Sequence, residues 1–180
     1  MFLQDTYKTT NHVRILTATS LFDGHDVSIN IMRRIMQDSG AEVIHLGHNR
    51  SASEIVEAAI QEDVHAIAAS SYQGGHIEFF RLIMDLLQER HADHIKVFGG
   101  GGGVIVPSEI TQIEGFGVAK IFSPEDGRTL GLQGMIDLIL RESDFPMDVS
   151  HLATQTQELS PSNSRLIGRY ITAIEEAKAQ

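Results

Sequence analysis

The sequence contains no cysteine, so it forms no disulfide bond and offers no thiolate to a metal ion, which leaves His, Asp and Glu as candidate ligands. Basic residues are also few, because 14 Lys and Arg stand against 24 Asp and Glu, for a net charge of -10. This balance excludes the basic stripe that a nucleic-acid-binding surface needs. The sequence also lacks any run of about 18 apolar residues that would span a membrane.

The N-terminus lacks the basic and then apolar pattern of a secretory signal. With 42% hydrophobic residues over 180 positions, the chain is long enough to bury the core of one domain of ordinary size. We therefore expect a cytoplasmic, globular protein whose partners include neither nucleic acid nor a membrane.

Short apolar segments rich in β-branched residues alternate with amphipathic helical segments along most of the chain. This alternation predicts an α/β fold, in which helices cover both faces of a parallel sheet. The expected form is flavodoxin-like (Rossmann-like), with five strands in the order 2-1-3-4-5 and a ligand crevice at the carboxyl ends of the first and third strands. Strands are predicted at residues 13–18, 42–47, 64–71, 95–98 and 118–122, and helices begin near Val27, Ser51, Ile77, Pro107 and Pro124.

The composition changes after the fifth helix, where a polar segment with Ser160-Pro161-Ser162 replaces the alternation. Apolar residues then return at helical spacing, from Leu166 to Ile174. We predict a main domain at 1–142, a linker at 143–164 and an additional C-terminal amphipathic helix at 165–180. Three outcomes stay open for this helix: it folds back on the domain, meets a partner, or leads to a further domain.

The turn after the first strand carries Asp23-Gly24-His25, directly before the first helix. A carboxylate beside an imidazole selects one ring tautomer and raises the basicity of the other nitrogen, as metal-binding histidines require. The simpler alternative is that Asp23 caps the helix and His25 is an ordinary polar turn residue. These residues alone leave both interpretations open.

Three loops should meet at the same edge of the sheet, because the carboxyl ends of parallel strands lie together. Together they offer an imidazole, hydroxyl groups and a stretch of bare backbone. Their candidate binding residues are Asp23, Gly24, His25, Asp26 and Ser28 after the first strand, Ser70, Tyr72, Gly74 and Gly75 after the third, and Gly99, Gly100, Gly102 and Gly103 after the fourth.

The spacing of these residues is specific. Asp23-x-His25-x-x-Ser28 is followed after 41 residues by Ser70-x-Tyr72, and after 26 more by Gly99-Gly100. This pattern resembles the signature D-x-H-x-x-G, S-x-L, G-G of proteins that bind cobalamin base-off and histidine-on. The resemblance implies that His25 is the lower axial ligand of cobalt and Asp23 its hydrogen-bonding partner. It also implies that Ser70 and the glycines line a channel for the displaced nucleotide tail.

Two positions depart from that signature. Ser28 stands where the signature has glycine, and Tyr72 stands where it has leucine. A lysine found four residues before the aspartate in methylmalonyl-CoA mutase is replaced by Thr19. Within the glycine run, Gly99-Gly100 fits the spacing of the signature, whereas Gly102-Gly103 precedes Val104-Ile105 as the glycine pair does in the mutases.

Longer phrases, including Ser20 to Asp26 and Phe98 to Val104, are similar to the cobalamin-binding domain of the fused isobutyryl-CoA mutases, within the methylmalonyl-CoA mutase family. The resemblance covers about residues 12–141. It implies adenosylcobalamin as cofactor and radical isomerisation of isobutyryl-CoA to n-butyryl-CoA. The implied partners are a substrate-binding barrel and a G-protein chaperone domain that uses GTP and Mg²⁺. Because this chain has no such barrel, no catalytic residue is expected in it, and it should be inactive alone.

The same residues bear on other functions of this fold. Asp23 and Asp26 would repel the phosphate of a flavin, and a receiver domain needs an aspartate after the third strand, where Ser70-Ser71-Tyr72 stands. The histidines of His45-x-x-His48 straddle a strand end and should not converge on zinc. A further hypothesis places His76 at the upper, reactive side of a corrin. A cobalamin-dependent sensor and a corrinoid methyl-carrier domain remain compatible with the motifs.

Overall fold

A five-stranded parallel sheet forms the centre of the computed structural model, which describes residues 6–25, 27–150 and 152–179. The strand order is β2-β1-β3-β4-β5, so the predicted fold is confirmed. The strands are β1 (Arg14–Thr19), β2 (Glu42–His45), β3 (Ala66–Ser70), β4 (Lys96–Gly100) and β5 (Lys120–Phe122). The helices are α1 (Val27–Asp38), α2 (Ala52–Gln61), α3 (His76–Glu89), α4 (Pro107–Glu114), α5 (Pro124–Ser143) and α6 (Ser164–Ala179).

Two apolar cores lie on the two faces of this sheet. Alternate residues of β1 illustrate the division, because Leu16 packs with Ile55 and Phe80 on one face, while Ile15 packs with Met36 on the other. All residues of β1 and β3 are buried, as expected for central strands that are covered on both sides. Helices α2, α3 and α4 cover the first face, and α1 and α5 cover the second.

Strand β4 extends two residues further than the apolar pattern predicts, into the glycine run. Gly99 pairs with Ala69, and Gly100 pairs with Ser70. A Cβ atom added to Gly99 would lie 2.3 Å from Cζ of Phe80 and 2.7 Å from Cδ1 of Ile121. Position 99 therefore needs glycine, because the side chains of Phe80 and Ile121 already occupy the space where its side chain would lie.

The C-terminal helix α6 folds back on the domain, at the end of the sheet where β1 begins. The buried guanidinium of Arg14 donates to Glu175 Oε2 at 2.6 Å and also to Glu42 Oε2 at 2.7 Å. Arg169 pairs with the buried carboxylate of Asp63, Nε to Oδ1, at 3.0 Å. Gly168 permits this approach, since a Cβ atom there would lie 2.5 Å from the Gln61 carbonyl oxygen.

Part of the apolar stripe of α6 stays exposed. Leu166 is buried against the domain, whereas Ile171 and Ile174 keep 49% and 55% of their surface accessible. The division into main domain, linker and C-terminal helix stays a prediction. In the described ranges, no helix has both the length and the apolar character needed to cross a membrane.

Two imidazoles near α6, those of the buried His65 and the half-buried His94, lead to a prediction about pH. Burial lowers the pKa of His65 to about 4, and burial together with Arg169 lowers the pKa of His94 to about 4. Because both rings have an ordinary pKa of 6.5, the unfolded chain binds more protons than the folded chain between about pH 6.5 and 4. The melting temperature should therefore fall as the pH is lowered through this window, as measured by calorimetry.

The variant His94→Asn should show a smaller loss of melting temperature across the same window. The exposed His48 offers a matched control, because His48→Asn should keep the slope of the unchanged chain. Equal slopes in the unchanged chain and in His94→Asn would show that His94 does not contribute to this dependence.

Candidate functional site

The buried carboxylate of Asp23 connects two of the three loops that meet at the carboxyl edge of the sheet. Its side chain is completely buried. Oδ1 accepts a hydrogen bond from the backbone N–H of His25 at 2.8 Å and lies 2.9 Å from Nδ1 of the same residue. Oδ2 accepts the backbone N–H of Tyr72 at 2.5 Å. One side chain therefore holds both the imidazole and the loop after β3.

The imidazole of His25 is exposed over 66% of its side chain, although its anchor is buried. In the neutral ring, an Nδ1–H that donates to Asp23 leaves the lone pair on Nε2. Nε2 is then the nitrogen available to a ligand outside the chain. Because Asp23 binds His25 and Tyr72, it does not act as a simple helix cap.

The turn that carries Asp23 has an unusual conformation. Phe22 has φ 63°, in the left-handed region that bulky residues rarely adopt, and 81% of its surface is exposed. Its backbone N–H donates to Oδ1 of Asn49 at 2.8 Å, which helps to hold the turn in this conformation. Asn49 lies in the loop after β2, and no signal in the single sequence connects it to this site.

A cavity of about 260 Å³ opens beside this turn, between α1 and α5 and above the ends of β3, β4 and β5. Six predicted site residues line it: Ser28, Ser70, Tyr72, Gly99, Gly100 and Gly102. The rest of the lining was not predicted as part of the site and includes Ile29, Ile31, Met32, Ala68, Ala69, Phe98, Gly101, Phe122, Ser123, Pro124, Gly127, Leu132, Met135 and Ile139. Most of these residues were predicted only as parts of the core or of helices.

The other predicted glycines lie outside the lining of this cavity. Gly74 and Gly75 are exposed in the loop before α3, and Gly103 is exposed in a short 3-10 turn. A Cβ atom added to Gly24 would meet nothing within 4 Å, so the space above the turn is open. Asp26, also predicted as a site residue, lies outside the described residues.

Paired hydroxyl groups connect the ends of β1 and β3 at the base of the site. The Ser70 hydroxyl donates to Oγ1 of Thr19 at 3.1 Å, and that of Ser20 donates to Oγ of Ser71 at 3.0 Å. These contacts follow from the register, which places Thr19 opposite Ser70. Thr19, which replaces the lysine of methylmalonyl-CoA mutase, thus positions the Ser70 hydroxyl at the cavity wall.

The described histidines outside this turn do not form a metal centre. His45 is engaged by Thr17, with Oγ1 2.9 Å from Nδ1. His76 is buried, and its Nε2 lies 3.0 Å from Glu109 Oε2, so its placement at the upper, reactive side of a corrin stays a prediction. Within the part of the chain that the structure describes, no three His, Asp or Glu side chains are arranged to hold a metal ion.

Residues 13–127 match the protein family described as the B12 binding domain. The chain is 62% identical over 169 residues to a fused isobutyryl-CoA mutase of Geobacillus kaustophilus, an alignment that covers 94% of this chain and 16% of that protein. It is 35% identical over 109 residues to the 2-hydroxyisobutanoyl-CoA mutase small subunit of Aquincola tertiaricarbonis, covering 61% of this chain and 79% of that subunit. The resemblance predicted from the motifs is confirmed.

Solved structures agree on the fold. A cobalamin-binding protein from Desulfitobacterium hafniense superposes with a TM-score of 0.59 at 21% identity, covering 73% of this chain and 59% of that one. The receiver domain of the putative response regulator NarL from Mycobacterium tuberculosis superposes with a TM-score of 0.55 at 13% identity, covering 74% of this chain and 98% of that one. Because a receiver superposes nearly as well, these likenesses show the fold alone.

A matched pair of glycine substitutions tests how tightly the loops of this site are packed. A Cβ atom on Gly101 would lie 2.0 Å from the Ser71 carbonyl oxygen, where neither backbone can yield easily. Gly101→Ala should therefore cost about 1–3 kcal/mol of unfolding free energy, as overpacking does. A Cβ atom on Gly103 meets nothing within 4 Å, so Gly103→Ala should stay within about 0.5 kcal/mol. Urea unfolding measures both, and equal stabilities would contradict this packing.

Proposed function

Because the chain belongs to the B12-binding domain family, we propose that it holds adenosylcobalamin base-off, with Nε2 of His25 as the lower axial ligand of cobalt. The observation that carries this proposal is the buried carboxylate of Asp23 on Nδ1 of the exposed imidazole, at 2.9 Å. A histidine that ligates a metal through one nitrogen characteristically donates the N–H of the other to a carboxylate.

The surroundings of His25 suit a corrinoid in two further respects. A Cβ atom added to Gly24 would meet nothing within 4 Å, so the residue next to the imidazole leaves room for the edge of a large flat ring. The adjacent cavity, with Ser70 and the glycines from Gly99 to Gly102 in its wall, offers a largely apolar slot with a few hydroxyl groups. We assign this slot to the displaced nucleotide tail. Apolar pockets with a small number of polar groups are typical of cofactor sites.

When bound, adenosylcobalamin supplies radical chemistry that no amino-acid side chain provides. The contribution of this chain is to ligate and orient. Asp23 selects the tautomer of His25 that leaves the lone pair on Nε2, the nitrogen that would bind the metal. The same carboxylate holds the backbone of Tyr72, so the ligand and the wall of the tail slot keep a constant separation.

The whole enzyme extends well beyond this chain, which spans about 16% of the fused relative that it matches at 62% identity. We propose that this domain serves an acyl-CoA mutase that converts isobutyryl-CoA to n-butyryl-CoA in the cytoplasm. Its partners would be a substrate-binding barrel and a G-protein chaperone domain that uses GTP and Mg²⁺. A cobalamin sensor or methyl carrier would use the same binding residues, but the similar relatives named above are mutases.

Electron paramagnetic resonance of the Co(II) cobalamin complex tests the axial ligand. The unchanged chain should show superhyperfine coupling to one nitrogen, and labelling the protein with ¹⁵N should change the pattern, because the nitrogen belongs to the protein. In His25→Ala this protein coupling should disappear. His48→Ala, an exposed histidine on the same edge of the sheet, is the control and should keep it. A protein imidazole coupling that persisted in His25→Ala would refute the assignment.

Mixing the isolated chain with adenosylcobalamin and isobutyryl-CoA tests whether it binds the cofactor without catalysing the reaction. The chain should retain the cobalamin through gel filtration, whereas no n-butyryl-CoA should accumulate, because the chain lacks a barrel to enclose the thioester. Chromatography of the acyl-CoA products measures this outcome. Product formed by the isolated chain would show that it carries out the reaction without a barrel, and elution of the cobalamin apart from the protein would overturn the proposed binding itself.

A further inference from the structure

The two residues that depart from the cobalamin signature contact each other. The hydroxyl groups of Ser28 and Tyr72 lie 3.1 Å apart, within hydrogen-bond distance. Ser28 belongs to the first turn of α1, and Tyr72 belongs to the loop after β3, so the contact spans two separate elements. The signature residues glycine and leucine could not form this bond, since neither has a hydroxyl group. The departures are therefore coupled in space rather than independent.

The ring of Tyr72 lies between the candidate ligand and the cavity. Its centroid is 5.6 Å from that of the His25 imidazole, and the residue also lines the cavity together with Ser28. A Cβ atom added to Gly102 would also lie 3.0 Å from Cε1 of the ring. Gly102, with φ 56°, thus leaves room for the phenol ring, because a side chain there would crowd it.

The backbone of Tyr72 cannot readily move, because its N–H is bound to the buried carboxylate of Asp23. The phenol can leave its position only by rotation of the side chain. Such a rotation would break the bond to Ser28, which is exposed, while the contacts between Asp23 and His25 stay intact. The hydrogen bond is therefore the element that can open without disturbing the ligand.

We propose, on the basis of the function proposed above, that the Ser28–Tyr72 hydrogen bond is a latch across the mouth of the tail cavity. The latch opens when the phenol turns away from Ser28, and the nucleotide tail of the cofactor enters past it. A corrinoid without a nucleotide tail reaches His25 without opening the latch. The latch therefore slows the entry of the tail and has no effect on ligation of cobalt.

Stopped-flow absorbance with two cofactors tests this latch. The probes are adenosylcobalamin and adenosylcobinamide, which lacks the nucleotide tail. Tyr72→Phe and Ser28→Ala should each increase the association rate of adenosylcobalamin roughly fivefold, the change expected from the loss of one neutral hydrogen bond. The double variant should be no faster than either single variant, because both remove the same bond. All association rates for adenosylcobinamide should stay unchanged.

Tyr170→Phe is the matched control, since it removes the hydroxyl that Tyr170 donates to the Leu152 carbonyl, on α6 and away from the cavity. It should leave both association rates unchanged. Equal rates for adenosylcobalamin in all variants, slower rates in Tyr72→Phe, or parallel changes with adenosylcobinamide would each overturn the latch. Failure of the unchanged chain to bind either probe would overturn the proposed function instead.

Discussion

The carboxylate of Asp23 is the group on which the rest of the site depends. Its two oxygens face different loops, and each is committed to a partner that would otherwise move independently: the imidazole of His25 and the amide of Tyr72. Burial makes the loss of these bonds unfavourable, because an unpaired carboxylate in the interior would be costly. The carboxylate therefore transfers the rigidity of the sheet to an imidazole that is itself largely exposed.

The two ends of the sheet have different tasks. At the carboxyl end, backbone glycines and small hydroxyl residues keep space open beside His25. At the opposite end, Arg14 and Arg169 bind acidic partners from several elements and hold α6 against the domain. Ion pairs made by a buried guanidinium give weak net stabilisation but select one arrangement, since a buried guanidinium left without its partners would be strongly unfavourable. These ion pairs hold α6 at the end of the sheet opposite the candidate binding site, so the helix leaves that site open.

The same sheet order serves proteins with unrelated chemistry, as the similarity to a receiver domain illustrates. Function on this fold is therefore decided by the loops at the carboxyl edge. Here the loop after β3 presents Ser70, Ser71 and Tyr72 where a phosphate-accepting aspartate would be needed for a receiver, and the loop after β1 presents a supported imidazole. The chemistry follows from these few positions rather than from the architecture.

The sequence by itself determined the alternation of strands and helices and singled out Asp23-Gly24-His25 as a candidate ligand turn, because apolar periodicity and the Asp-x-His spacing are local properties of the chain. It also located Ser70 and the glycine run, whose separations along the chain are characteristic. Only the tertiary structure decided that Asn49 holds the turn of Phe22, that Tyr72 and Ser28 share a hydrogen bond, and that α6 folds back on Arg14. Each of these contacts joins residues at least 27 positions apart, and long-range pairing of polar side chains leaves no periodic trace in one sequence.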